Sequence, residues 1–347
     1  MMVLEGPVRV AGFENIMAAL SDTVLREQLL DRRERLAAAI AGSHPQTDLV
    51  DLLQEVDAAL ERMKDGSYGL CQTCHDPIEP ERLISDPLIQ YCLDHLTTDQ
   101  RRSLEQDLEL ASQIQGTLLP KNDLSRNGWE IHYRFEPAGP VSGDYCDLVA
   151  DAAKGDLFFL LGDVSGKGVA ASLLMSHLHA TFRSLLALGL PLNQLVERAN
   201  RLFSESTMPA YYATLVCGTA GRSGEVEICN AGHCLPLLVR EGKATVMDTP
   251  GLPVGLFSSA QYSVTRANLN PGDTLFLYTD GLSEARDGSG AEYSAGRLAR
   301  FVADRHALPP KELTAACRAD LAEFLSGAPK SDDLTIMAIR RARAPTV

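Results

Sequence analysis

The hydrophobic period of the chain changes at Pro120. Before it, apolar residues recur at helical intervals; after it, they fall in short alternating or β-rich runs broken by glycine and aspartate. A chain with that switch combines two kinds of unit, and its 347 residues suit two or three. An apolar fraction of 45% supports a buried core in each.

In the first part, residues 22–41 place Leu25, Leu29, Leu36 and Ile40 at helical intervals, and residues 48–64 do the same with Leu49, Leu52, Leu53, Val56, Leu60 and Met63. Gly42, Ser43, His44 and Pro45 form a breaker between them, so the spacing predicts an antiparallel helical hairpin within residues 1–66. Asp65-Gly66 ends the second helix and opens a cysteine-bearing segment, residues 67–97. Residues 98–119 read as a polar linker helix closed by Pro120. Along it Leu104, Leu108, Ala111, Gln115 and Leu118 form a heptad-like stripe that can pair with its twin in a homodimer.

Composition removes several function classes. The net charge is −14, from 32 basic and 46 acidic residues, and no basic block offsets it, so direct nucleic-acid binding is not expected. Glu5, Arg9 and Glu14 interrupt the N-terminus before any signal-like apolar run, and the run Leu157 to Leu161 is too short for a bilayer. The expectation is a cytoplasmic protein without membrane contact, whose eight cysteines are reduced. Their spacing then carries the information. Cys71-x-x-Cys74 and Cys92-x-x-His95 are two ligand pairs at knuckle spacing, suited to one tetrahedral Zn²⁺. A closed set of four leaves no open position, so this metal is expected to be structural; His75 is the weaker candidate beside His95.

Beyond Pro120, β-type runs fall at residues 131–135, 156–161, 212–217, 225–229, 237–240, 274–278 and 334–340. Helical patterns occupy residues 168–187 and 192–205 in mid-domain, and 294–305 and 310–325 before the last strand. Strands grouped with strands and helices in pairs imply an α+β fold with antiparallel sheets.

Aspartates recur where these strands meet turns: Gly143-Asp144-Tyr145, Gly162-Asp163-Val164, Thr279-Asp280-Gly281 and Asp332-Asp333-Leu334-Thr335. Singly, each is an ordinary turn residue. Together they supply oxygen ligands from separated segments, which a site for two hard divalent cations requires.

The same residues carry a resemblance. Residues 106–343 resemble the SpoIIE/RsbU branch of the PPM metal-dependent protein phosphatases. The matching pieces are Leu110 to Gln115 with Leu118-Leu119-Pro120, Ser142 to Asp147, Gly162 to Gly168, Asn230 to His233, Gly251 to Gly255, Asp280 to Ala285, and Asp332 to Thr335. The resemblance implies a phosphatase domain over residues 120–347, a sandwich of two antiparallel sheets flanked by helices, with two Mn²⁺ or Mg²⁺ at one end. It makes Asp163 the carboxylate bridging both metals and the Val164 carbonyl a further ligand. Asp280 and Asp332 would hold one metal, with Asp333 the alternative to Asp332, and Asp144 would assist the other. A water between two such ions becomes a nucleophile near neutrality and attacks phosphorus in line.

Two residues depart from the family pattern. Lys167 stands where histidine is common; it can steady phosphate but is a poor proton donor, which leaves the general acid unassigned. Cys146 replaces a common tyrosine. Asn230 and His233 are candidates either for substrate contact or for bracing their own turn, whereas His177 and His179 read as structural.

Residues 58–83, with the hairpin before them, resemble the DksA/TraR-type zinc finger, His95 standing in place of a fourth cysteine. That family's members bind RNA polymerase with acidic residues at the hairpin tip; here the tip offers Asp48 and Asp51. The two resemblances imply a phosphatase acting on a phosphorylated protein, a STAS-type anti-sigma-factor antagonist, under control of the zinc module. The alternative is an RNA-polymerase-binding transcription regulator with a secondary or inactive phosphatase domain. The intact aspartate set favours the enzyme.

Overall fold

The computed structural model describes residues 11–42, 47–96, 98–150, 156–208, 210–248, 250–328 and 330–343. Its contacts divide the chain into two units that meet between Glu105 and Gln106. The hairpin breaker at 43–45 and the side chain of Asp48 lie outside the described residues.

The first unit begins with α1 (Ala11–Gly42) and α2 (Thr47–Asp65). Leu29 and Leu36 bury against Val56 and Ala59, which is why these positions repeat at helical spacing. Asp57 accepts from the Arg33 guanidinium across the pair. Gly66, at φ +80°, turns the chain out of α2, and the Asp65 carboxylate accepts the Ser67 amide at 2.9 Å. A short helix α3 (Pro80–Ser85) and a 3₁₀ turn at Leu93–His95 follow. Cys71, Ile78, Leu83 and Cys92 form a small core there with Leu25.

Helix α4 (Thr98–Leu118) runs through the division between the units. Its heptad-like stripe is split. Gln115 is buried in hydrogen bonds and Leu118 packs on the core of the second unit, while Leu104 is exposed. The apolar residues most exposed on this helix are Leu110 and Ile114, at 56% and 55%.

The second unit opens with β1 (Asp123–Arg126), β2 (Trp129–Glu136), β3 (Asp144–Ala150) and β4 (Leu157–Val164). Helices α5 (Gly168–Leu186) and α6 (Leu192–Ser206) come next, then β5 (Ala213–Ala220), β6 (Glu225–Ala231), β7 (Leu237–Arg240), β8 (Lys243–Val246), β9 (Thr265–Asn268) and β10 (Thr274–Tyr278). Helices α7 (Asp280–Ser283), α8 (Ala295–Asp304) and α9 (Pro310–Leu325) precede β11 (Leu334–Arg341). Among the described residues the strands form two antiparallel sheets, ordered β1-β2-β11-β10-β7-β8 and β3-β4-β5-β6-β9.

The pleat explains the continuous apolar runs. On β4, Leu157, Phe159 and Leu161 enter the core between the sheets, while Phe158 and Leu160 face α5 and α6. On β10, Leu275 and Leu277 enter the same inter-sheet core, whereas Phe276 and Tyr278 pack with Leu298 of α8 and Leu313 of α9. Both faces of each central strand are therefore buried, in an order of helices, sheet, sheet, helices. Gly218 leaves room for the Phe159 ring, which a side chain there would meet. Truncating Phe159 to alanine would cost about 3–5 kcal/mol. This is the two-sheet α+β fold expected from the sequence. The strands it hid are β1, β3, β8 and β9; β1 and β8 carry mostly exposed residues, and β9 alternates exposed with half-buried ones and buries none, so they lack the apolar signal.

Candidate active site

Antiparallel pairing places Asp144, the first residue of β3, directly opposite Asp163, next to last in β4. Gly143 precedes Asp144 and faces Val164, and an added Cβ there would come within 3.1 Å of the Val164 carbonyl and 3.4 Å of Asp163 Oδ1. Glycine thus lets the three predicted ligands of this corner approach one another.

Asp144 is fully buried and reaches the other sheet. Its Oδ2 accepts from Thr279 Oγ1 at 3.1 Å and from Thr335 Oγ1. Those threonines are themselves tied, because the Thr335 amide donates to Thr279 Oγ1 at 2.9 Å and the Thr279 amide to the Thr335 carbonyl at 3.0 Å. Asp280 follows Thr279 and opens α7 rather than ending a strand. Gly281 passes so close to the Asp333 carbonyl that a side chain could not fit.

The neighbouring pair Asp332 and Asp333 divides its tasks. Asp333 accepts the backbone amides of Ala138 at 2.7 Å and Gly143 at 2.9 Å, and so clamps the loop before β3. Asp332 is exposed; its Oδ1 accepts the Asp333 amide at 3.0 Å and its Oδ2 accepts from Lys167 Nζ at 3.1 Å. Asp332 is the member whose carboxylate is free of the loop.

At the same loop, Gln115 of α4 donates to the Ser142 carbonyl at 2.7 Å and accepts the Ser142 amide at 3.0 Å. Ser142 Oγ accepts the Asp144 amide at 3.0 Å. Sequence patterning alone does not single out Gln115, Ser142, Thr279 and Thr335, although the Gly-Asp, Asp-Gly and Asp-Asp motifs flank the last three.

The carboxylates oppose one another's ionisation. Burial and then the charges of Asp280, Asp332 and Asp333 push Asp163 up to about 7. Burial followed by Asp163 raises Asp144 well above the usual carboxylate range, against the Thr335 hydroxyl. Asp280 is raised by burial and by Asp332. Such crowding of acceptor-only oxygens fits hard divalent cations, which remove the repulsion that lifts these groups. Asp144, Asp163, the Val164 carbonyl, Asp280 and Asp332 are the donors that would hold them.

His233, His177 and His179 are each held by packing or polar contacts. His233 is buried and held down to about 4 by that burial. Its Nδ1 pairs with Thr214 Oγ1 at 2.9 Å, and Asn230 bonds both its amide, at 2.7 Å, and its carbonyl, at 3.1 Å. Asn230 and His233 therefore brace their own turn. His177 stacks on Phe203, and His179 lies 3.9 Å from Asp147, a buried carboxylate gripped bidentately by Arg183.

In the first unit the atoms Cys71 Sγ, Cys74 Sγ, Cys92 Sγ and a ring nitrogen of His95 all lie within 4.8 Å of one another. Cys74 and Cys92 sulfurs are 3.8 Å apart, the edge of a tetrahedron with Zn–S bonds of about 2.3 Å. Cys92 Sγ is 3.2 Å from His95 Nδ1. His75, with φ +60°, is exposed at the knuckle turn, outside this set. For Cys71, burial alone would raise the thiol, but amides of Cys74, Cys92 and Thr73 outweigh it and bring it down to about 6. Thiolate and imidazole donors at these separations fit Zn²⁺. Asp51 is exposed on α2 near the hairpin tip.

The two-sheet architecture and the converging aspartates define a phosphatase domain of the metal-dependent PPM, or PP2C, class. The chain belongs to the SpoIIE family: the model of stage II sporulation protein E matches residues 153–342, which include Asp163, Asp280 and Asp332, while Asp144 precedes them. It is similar to phosphoserine phosphatase RsbU of Bacillus subtilis, 26% identical over 193 residues, covering 55% of this chain and 57% of that protein. Among solved structures, the RsbU and RsbW domains of Rv1364c from Mycobacterium tuberculosis align at 30% identity with a TM-score of 0.55, over 66% of this chain and 63% of that one. The SiaA-PP2C domain of Pseudomonas aeruginosa has the same fold, with a TM-score of 0.61 at 21% identity, over 69% of this chain and 97% of that one. The chain spans about half the length of the curated relatives it matches. Among the described residues no helix is long and apolar enough to cross a membrane.

Proposed function

We propose that this chain hydrolyses phosphoserine or phosphothreonine on a regulatory protein, with two Mn²⁺ or Mg²⁺ held by Asp144, Asp163, the Val164 carbonyl, Asp280 and Asp332. The observation that carries the reading is the placement of Asp144 opposite Asp163 at strand ends, where burial and neighbouring carboxylates, Asp163 for Asp144 and Asp280, Asp332 and Asp333 for Asp163, raise both groups. Bound divalent ions would supply charge neutralisation at the phosphoryl oxygens and lower the pKa of an attacking water. The chain supplies the rest. Asp163 offers a carboxylate between the two strands, and Thr279 and Thr335 fix the orientation of Asp144. Asp333 holds the loop before β3 at Ala138 and Gly143, and Gln115 holds it at Ser142.

By the resemblance to the SpoIIE/RsbU branch, the substrate is a phosphorylated STAS-type anti-sigma-factor antagonist in a cytoplasmic partner-switching pathway; RsbU itself is a phosphoserine phosphatase. The N-terminal unit, read as a DksA/TraR-type finger with a structural Zn²⁺ on Cys71, Cys74, Cys92 and His95, acts as the regulatory module. A homodimer through α4 belongs to the same reading, supported by the exposure of Leu104, Leu110 and Ile114. The test of substrate class is phosphate release in Mn²⁺ from a phosphorylated STAS protein, set beside an unrelated phosphoserine protein. Preference for the STAS protein supports the assignment; equal rates on both would remove it.

A further inference from the structure

Lys167 sits between two glycines in left-handed backbone, Gly166 at φ +100° and Gly168 at φ +69°, in the turn from β4 into α5. From this turn its ammonium crosses to the segment before β11. It donates to the Ser331 carbonyl at 2.8 Å and to Asp332 Oδ2 at 3.1 Å. Asp332 Oδ1 is already engaged by the Asp333 amide at 3.0 Å. Asp333 is the less available of the pair, because both of its oxygens accept loop amides, from Ala138 and Gly143. A divalent cation bound at Asp332 Oδ2 would meet the lysine ammonium 3.1 Å from the same oxygen, where like charge opposes both staying.

We infer that Lys167 is a built-in counter-ion that occupies the Asp332 carboxylate until a divalent cation displaces it, and that the released ammonium then binds the substrate's phosphoryl group. Metal binding thereby precedes and enables phosphate binding. The inference rests on the two-ion reading of the aspartates. Chemistry favours lysine for such exchange. Its ammonium is a point charge on a flexible stem, whereas an arginine fork would grip a carboxylate bidentately. The pair is also largely exposed, with side chains 70% and 48% accessible, so it is weak enough to yield to a divalent ion.

The test is calorimetric titration of Mn²⁺ into the full, zinc-loaded chain, followed by titration of inorganic phosphate into the Mn²⁺-loaded protein. Lys167→Met should bind Mn²⁺ roughly two- to five-fold more tightly than wild type, the range an exposed ion pair can contribute. Lys167→Arg should bind it more weakly than wild type. Phosphate affinity should fall in Lys167→Met. Unchanged or weaker Mn²⁺ binding by Lys167→Met, with wild type binding normally, overturns the counter-ion role while leaving the two-ion reading intact. Phosphate binding by Lys167→Met equal to wild type overturns the second role. A wild-type chain that takes up no Mn²⁺ removes the two-ion reading, and this inference with it.

Discussion

Asp333 accepts the amide of Gly143, 190 residues earlier, at 2.9 Å, and so joins the segment before β11 to the loop that presents Asp144. Its second oxygen holds Ala138 in the same loop. The adjacent Asp332 makes no such contact with the loop, and substitutions at the two positions should separate cleanly. Asp333→Asn places an amide donor against a backbone donor and should lower stability by about 1–3 kcal/mol. Asp332→Asn should leave stability nearly unchanged but remove one Mn²⁺ equivalent. Denaturant unfolding and metal stoichiometry, measured on both variants, decide the assignment.

Gln115 is a second clamp on this loop, at Ser142. Gln115→Ala removes both bonds to Ser142 and leaves a buried amide and carbonyl without partners. The expected loss is about 1–3 kcal/mol. Hydrogen exchange at the amides of residues 142–146 should quicken more than at β10. Uniform exchange across both segments would contradict a local role.

The pH dependence follows from Asp163. Its carboxyl rises from an ordinary 3.8 to about 7 in the folded, metal-free chain, so between these values the folded state holds the proton more tightly than the unfolded state. That contribution to stability is full below the unfolded value and is lost as pH rises through about 7. Asp163→Asn removes the ionisation. In chelator at pH 8 the variant should melt at higher temperature than wild type, and the difference should shrink at pH 5. Chelator strips zinc from both proteins alike, so the comparison isolates Asp163. A variant that melts lower at pH 8 would contradict the crowding described for this site.

Zinc removal should act on the first unit. Cys92→Ser breaks the contacts at 3.8 Å to Cys74 and 3.2 Å to His95, and with them the small core around Ile78 and Leu83. The expected outcomes are loss of one zinc equivalent and preferential proteolysis within residues 67–96, with the second unit still folded. Retention of zinc at full stoichiometry would rule out Cys92 as a ligand.

Much of the architecture was legible because central strands buried on both faces, such as Leu157 to Leu161, leave long apolar runs. Strand β3 was hidden because its Gly-Asp entry reads as a turn, and its run is interrupted by Asp147, whose charge is met by Arg183 from α5. The aspartates were legible by their glycine and turn neighbours. Their supports were not. Thr279 and Thr335 meet through the antiparallel ends of β10 and β11, and Lys167 reaches 164 residues along the chain to Ser331, distances that local pattern does not encode. The spacing of Gln115 fits a heptad seam, but a buried partner in its own unit takes precedence over the period.

The central claim is that these aspartates form a metal-dependent phosphatase site. It is tested most directly by initial rates of Mn²⁺-dependent phosphate release from a phosphoserine STAS protein, with wild type, Asp163→Ala and Asp280→Asn compared at matched concentration. Wild type should turn over only with the divalent cation present, and both variants should lose roughly a hundred-fold or more, in keeping with removal of a charge-stabilising group. Equal activity in all three proteins, or full wild-type activity in chelator, would contradict the account.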